Sequence, residues 1–293
     1  MRAAFLLATA VLVSAVATAR VDAQTSTGVE SSRAGAPQPR LEALWTLKGL
    51  SDPESVALSA DKRFLYVSNV NGESDAVDGN GFISRVSRDG KMIEEKWATG
   101  LDAPKGMAVA KGRLYVSDIA TLAVIDARTG RVLEKIVAPD AGFLNDVAVL
   151  PDGRVIASDS ARQRIYVLQG GKLTVWLEDP LLRGINGLLP EKGRLVISTM
   201  QGRLLAADYR TRKLTQLAEG LGRGDGVARL RDGSWLFSEW PGRLFHVRAD
   251  GSNTVLQDER QAERYMNDFI LVDGVLLVPN MKPGELTAWR VRY

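Results

Sequence analysis

The chain has 293 residues, 45% hydrophobic and 25% charged, an ordinary globular balance and long enough for one large all-β domain. Its 38 basic and 35 acidic residues nearly cancel to +3, and the basic residues fall in short turn-like pieces such as Lys111-Gly112-Arg113 rather than along a basic helix, which argues against a nucleic-acid partner. There is no cysteine, which excludes disulfides and cysteine-linked lipid attachment. At the start of the chain, Arg2 precedes an uncharged apolar run over residues 3–19, and small residues offer cleavage at Ala17-Thr18-Ala19 or Val21-Asp22-Ala23. Residues 1–23 therefore read as a secretory signal peptide; the run is short and alanine-rich, unlike a membrane anchor. The expected location is periplasmic or secreted, with no stable membrane span after signal removal. Residues 24–40 are mostly small and polar, with little to bury, and read as a flexible linker.

From residue 41 to residue 293 one phrase recurs six times: a short polar step, an apolar strand, a turn, and a second apolar strand closing on Ser plus a polar residue. The second strands make it plain, with Leu65-Tyr66-Val67-Ser68-Asn69, Leu114-Tyr115-Val116-Ser117-Asp118, Val155-Ile156-Ala157-Ser158-Asp159 and Leu195-Val196-Ile197-Ser198-Thr199, followed by Trp235-Leu236-Phe237-Ser238-Glu239 and Leu276-Leu277-Val278-Pro279-Asn280. The polar steps fall at Glu54, Lys105, Asn145, Asn186, Asp225 and Asn267, with gaps of 51, 40, 41, 39 and 42 residues. A period near 40 with four strands per unit is that of a propeller blade. Asp152-Gly153, Lys192-Gly193, Asp232-Gly233 and Asp273-Gly274 sit where hairpin turns belong. After Asn267 only three strands remain, while the apolar piece from Leu41 to Leu47 has no partner of its own. The expected fold is all-β, a six-bladed β-propeller closed by that N-terminal strand completing the last blade. A stack of hairpins in a sandwich or solenoid accounts less well for six equal units and a complementary end strand.

In a four-stranded blade the innermost strand lines the channel, so the six step residues point to one end of it. Singly, Asn186-Gly187 and Asp225-Gly226 are ordinary turns and Asn145-Asp146 an ordinary loop pair. Their shared phase implies polar oxygens desolvated together, for which a hard cation is the simplest reason. Oxygen donors favour calcium, with another divalent cation as the alternative. The single histidine, His246, falls in a third strand away from the mouth. The connection from Asn69 to Gly81, with Glu73, Asp75 and Asp78, overhangs the mouth as a solvated loop, a lid or a second calcium loop, and Trp240 faces the mouth as a stacking or packing residue.

The ordered set Pro53-Glu54-Ser55, Asn145-Asp146, Asn186-Gly187 and Asp225-Gly226 resembles the senescence marker protein, gluconolactonase and luciferin-regenerating enzyme family, which includes squid-type diisopropylfluorophosphatase. The resemblance spans about residues 41 to 293, with Ser55 where the family has Gly and Lys105 at the second blade's step. It implies a six-bladed propeller with a catalytic calcium in the channel, held by Glu54, Asn145, Asn186 and Asp225. The implied activity is metal-dependent hydrolysis of a lactone or related ester on a small-molecule substrate. Asp225 or Asp146 would accept a proton from the attacking water. Lys105 would stabilise an oxyanion or pair with a substrate carboxylate, or else pair with a neighbouring Asp. The competing expectation is a non-catalytic exported propeller that binds a protein or small ligand at its mouth. A strictosidine-synthase-like enzyme, without a metal-centred carboxylate set, ranks third. Oligomeric state is not legible.

Overall fold

A computed structural model describes residues 38–293, so the expected signal peptide and most of the expected linker lie outside the described residues. The alternating apolar runs form twenty-four strands in six four-stranded antiparallel sheets. β1 (Arg40–Lys48) comes first and starts one residue ahead of the expected boundary. Blade 1 follows as β2 (Pro53–Leu58), β3 (Phe64–Asn69), β4 (Gly81–Ser87) and β5 (Met92–Leu101). Blade 2 is β6 (Pro104–Ala110), β7 (Arg113–Asp118), β8 (Thr121–Asp126) and β9 (Val132–Val137). Blade 3 is β10 (Leu144–Val149), β11 (Val155–Asp159), β12 (Arg164–Gln169) and β13 (Lys172–Glu178). Blade 4 is β14 (Ile185–Glu191), β15 (Arg194–Thr199), β16 (Leu204–Asp208) and β17 (Leu214–Ala218). Blade 5 is β18 (Gly224–Arg229), β19 (Trp235–Glu239), β20 (Arg243–Val247) and β21 (Asn253–Asp258). Blade 6 is β22 (Ile270–Val272), β23 (Val275–Asn280) and β24 (Glu285–Arg292), with β1 as its outer strand. The ring therefore closes as the sequence implies, by pairing β1 with β24. No helix among the described residues is long and apolar enough to cross a membrane.

The core lies between the blades rather than within one layer. Each of the six interfaces holds its own apolar cluster. Blades 3 and 4 pack Ile156, Trp176, Leu195 and Leu205, all at most 2% exposed, and blades 6 and 1 close over Val56, Leu65, Leu277 and Leu286. Each such fully buried side chain stabilises the fold by about 1.5–3 kcal/mol. The one long gap, 51 residues between the first two step residues, holds the connection between β3 and β4 and the ten-residue β5.

The recurring Ser has a structural reason. In each of the first five blades the innermost strand carries a bulge at the step, with register shifting between Pro53 and Val56, Pro104 and Met107, Leu144 and Val147, Ile185 and Leu188, and Gly224 and Val227. Two residues there oppose one, and that one is Ser68, Ser117, Ser158, Ser198 or Ser238. A bulge re-aims side chains out of the pleat, here toward the channel. In four blades the serine hydroxyl takes the bulge's spare N–H, from Ser55 (2.9 Å), Asp146 (2.9 Å), Gly187 (2.8 Å) and Gly226 (2.8 Å). Ser117, Ser198 and Ser238 also donate to the next blade's step carbonyl, at Asn145, Asp225 and Asn267 respectively. Gly187 is required because a Cβ there would run into the Asp225 carbonyl of the neighbouring strand. Replacing the fully buried Ser198 with alanine strands the Gly187 N–H and removes the donor to Asp225. A loss of about 2–4 kcal/mol is expected in denaturant unfolding, whereas a loss below 0.5 kcal/mol removes the strut role.

Candidate functional site

The five bulges, with the segment ahead of β22 in blade 6, bring all six step residues to one cavity of about 590 Å³ at the mouth of the channel, lined by Glu54, Lys105, Asn145, Asn186, Asp225 and Asn267. These six side chains are only 2% to 7% exposed, so their polar atoms must find partners inside the protein. Several do not. Glu54 Oε2, Asn186 Oδ1, Asp225 Oδ1 and Asn267 Oδ1 are buried without a hydrogen-bond partner. Asn145 donates its Nδ2 to Ser160 Oγ at 3.2 Å, and Asn267 directs its Nδ2 at the Pro53 carbonyl at 3.5 Å, which leaves both amide oxygens for the cavity. Each orphaned oxygen costs about 1–3 kcal/mol. Four on one cavity form a donor set of the kind a hard cation satisfies, and the residues present fit the divalent ion that the sequence implies. Among the described residues no three of His, Cys, Asp and Glu cluster as a ligand group, so the set is two carboxylates with amide oxygens.

Burial sets the charge state of the cavity. Burial pushes the Glu54 carboxyl well above the usual carboxylate range, and the Asp225 and Asp268 charges push it the same way. Asp225 is raised for the same first reason, burial, with Asp268 second and Arg223 opposing. Burial also lowers the Lys105 ammonium, opposed mainly by Glu54.

Two expected residues sit differently from the simplest expectation. Asp146 does not reach the mouth: one carboxylate oxygen accepts from Val147 N and the other from Leu188 N, both at 2.6 Å. With Asp268 it lines a second cavity of about 410 Å³ further along the channel. The cause is the bulge, whose two successive side chains lie at different depths, Asn145 at the mouth and Asp146 below it. Asp146 thus lies on the lower cavity, whereas Asp225 lines the mouth. Lys105 does line the mouth, but its Nζ donates to the Ala103 carbonyl at 2.9 Å and the Ser74 carbonyl at 2.7 Å, and lies 4.4 Å from the centre of the Phe143 ring. Its first task is to tie down the connection between β3 and β4. That connection is otherwise held by Asn71 Nδ2 on the Asn80 carbonyl and Gly79 N on Asp102, each at 3.0 Å. Lys105→Gln is expected to speed backbone amide exchange across residues 70–80 at least tenfold, read by hydrogen–deuterium exchange; unchanged protection there contradicts the tie.

The walls are apolar. Val70, Phe143, Met200, Met281 and Trp240 face the cavity with the polar ring at its base. Trp240 is braced edge-on by Tyr265 at 5.4 Å, and the Arg223 guanidinium lies 4.6 Å from its ring centre. Arg223 was not singled out from the sequence, though a signal exists: it stands two residues before Asp225, as Phe143 stands before Asn145. His246, in β20, is buried with Nε2 at 2.8 Å from Ser234 Oγ and does not line the mouth.

No family model and no curated protein matches the chain, so the resemblance to the gluconolactonase family has no support from these sequence comparisons. Solved structures do match. Selenomethionine-substituted virginiamycin B lyase from Staphylococcus aureus aligns over 82% of this chain and 82% of its own, at 15% identity and a TM-score of 0.57. A catalytically inactive variant of the same lyase, with quinupristin, aligns over 86% of this chain and 99% of its own, at 10% identity and a TM-score of 0.59. Likeness at such identity shows the fold alone, and the fold it shows is the propeller read from the repeat.

Proposed function

We propose that the chain is a metal-dependent hydrolase of lactones or related esters, working at the mouth cavity. The observation that carries this reading is the group of four unpartnered oxygens, from Glu54, Asn186, Asp225 and Asn267, on one buried cavity. Glu54, Asn145, Asn186 and Asp225 would hold a divalent cation, calcium by its tolerance of irregular oxygen sets, with Asn267 as a further donor. Such an ion, when bound, polarises an ester carbonyl as a Lewis acid. The chain's own groups do the rest. The apolar wall of Phe143, Met200, Met281 and Trp240 holds the acyl portion and limits water. Asp225, through the carboxylate oxygen not given to the ion, would take the proton of the water that adds to the carbonyl carbon, and return it to the alkoxide as the ester C–O bond breaks. Lys105 Nζ has two of its three protons engaged by carbonyls, and the third is left to stabilise the oxyanion.

A panel of lactones and aryl esters, assayed with and without chelator, tests the reading. Turnover that disappears on chelation and returns with calcium is the expected result. Full turnover in chelator sinks the metal role, and an inert panel sinks the hydrolase role. The second reading, a propeller that only binds a ligand at its mouth, is favoured by one observation: Lys105 puts a cation beside Glu54 within the ring. It expects ligand binding without turnover.

A further inference from the structure

The mouth has a side arm that the hydrolytic machinery does not use. A cavity of about 490 Å³ adjoins it, sharing Ser160, Met200 and Arg223 with it and extending over Gln163, Arg183 and Gln201. No carboxylate lines this arm, whereas two guanidiniums do. Both are exposed, and among the described residues neither takes part in a side-chain hydrogen bond or an ion pair. Arg223 stacks on Trp240, and Arg183 follows the short turn Pro180–Leu182. Some arginines elsewhere are paired, as in Arg194 with Glu191, Arg243 with Glu239 and Arg264 with Glu285, so it is the convergence of two on one recess, rather than the lack of a partner alone, that sets Arg183 and Arg223 apart.

Of the nearby acids, Asp225 belongs to the ring at the mouth and two others are committed elsewhere. Asp159, in the blade beside the arm, accepts from the backbone N–H groups of Gly142, Phe143, Ala161 and Arg162. Glu239, which pairs in register with Gly224 next to Arg223, is held by Arg243 at 2.8 Å. Two cations therefore line one recess without an ion-pair partner, although the Asp225 carboxyl on the ring side is within electrostatic reach of Arg223. The glutamines beside them can donate or accept, and the Arg223 guanidinium carbon lies 4.6 Å from the centre of the Trp240 ring. Arginine presents paired N–H groups that match a carboxylate or phosphate, and stacking lowers the entropy lost in using them.

We infer that this arm binds an anionic group carried by the substrate, a carboxylate or phosphate, while the substrate's ester carbonyl lies at the Glu54, Asn186 and Asp225 ring. The inference rests on the hydrolase reading and specifies its substrate class: an ester or lactone with an acidic arm and an apolar body. Arg183 and Arg223 are then specificity residues, since they meet the substrate away from the reacting atoms.

Matched esters test this. Monophenyl succinate carries the acid and phenyl butyrate does not. The wild-type protein is expected to favour the acidic ester at least tenfold in kcat/KM. Arg183→Gln or Arg223→Gln should each cut that ratio about threefold to tenfold, the double variant should bring it near one, and Arg183→Glu should invert it. A wild-type ratio near one, or a ratio that none of the variants moves, overturns the inference. Calorimetric titration with succinanilic acid, the amide counterpart that an esterase leaves intact, separates this from the hydrolase reading. If neither ester is turned over but succinanilic acid binds the wild type and not the double variant, the arm stands and the hydrolase reading falls. If it binds neither protein, or if inorganic phosphate binds as tightly with the same arginine dependence, substrate recognition by the arm is overturned.

Discussion

Glu54→Gln and Asp225→Asn are each expected to lower ester hydrolysis by about a thousandfold or more while making the metal-free protein more stable, not less. The two effects have one cause. In the metal-free protein both carboxyls are buried against each other and against Asp268, and burial holds both well above the usual carboxylate range. The sign follows from linkage. A carboxyl whose folded pKa is raised gives stability that is full below the unfolded value, near 4, and is lost as pH rises through the folded one. The loss therefore begins near pH 4 and continues as pH rises through the raised folded values of Glu54 and Asp225, and of Asp268 at about 6. A neutral amide at either position removes one such buried charge. At pH 8 and without calcium, each variant should gain about 1–2 kcal/mol, roughly 2–8 °C in melting temperature for a chain of this size. Activity and stability moving in opposite directions marks a functional site, since a merely structural residue would lose both. If either variant keeps hydrolysis within threefold of wild type, it does not serve at the site. If either melts lower in chelator, its carboxyl is a structural partner and not an uncompensated charge.

Removing the chain up to Lys48 is expected to open the ring. β1 pairs with eight residues of β24, from Arg40 with Arg292 to Lys48 with Glu285. Its Leu41 packs against the core between blades 5 and 6, and its Trp45 and Leu47 against that between blades 6 and 1, so the strand fastens both sides of the last blade. Trp45 also lies against Gly90 in the β4–β5 turn of blade 1, where any side chain would collide with the ring. Without β1, the last blade keeps three strands and β24 becomes a long free edge, which invites pairing with other chains. The expected result is a fall of about 10–20 °C in melting temperature with visible aggregation, partly reversed by a synthetic peptide of residues 38–48 added in trans. A truncated protein that melts within 2 °C of the full chain, monomeric, contradicts closure by this strand.

Much of this molecule is readable in its sequence because the repeat reports three-dimensional phase directly. Six polar steps at a near-constant spacing could only line one channel, and Leu41 to Leu47 could only fill the one incomplete blade. What the sequence hid is the bulge. Alternation along a regular strand gives no reason to place Asn145 at the mouth and Asp146 in a cavity beneath it, yet one extra residue opposite Ser158 does so. The repeated Ser is visible as a pattern, but its role needs coordinates, because Ser198 and Ser238 each span the spare N–H of their own blade and a carbonyl of the next. Lys105 shows the same limit: its position follows from the period, while its bond to the Ser74 carbonyl depends on how the connection between β3 and β4 folds back. Arg183 stands in a loop outside the repeated phrase, and Arg223, though in phase two residues before Asp225, has no arginine at the matching position of any other blade.

The central claim is that the four orphaned oxygens of one buried cavity bind a hard cation, and thermal unfolding with calcium against chelator tests it most directly. Binding to the folded site alone must raise the melting temperature, by about 4 kcal/mol of added stability at a thousandfold excess over the dissociation constant. The expected shift grows from pH 5 to pH 8, as protons leave Glu54 and Asp225, and vanishes in Asp225→Asn. A melting temperature indifferent to calcium and to other divalent cations at pH 8 contradicts the claim.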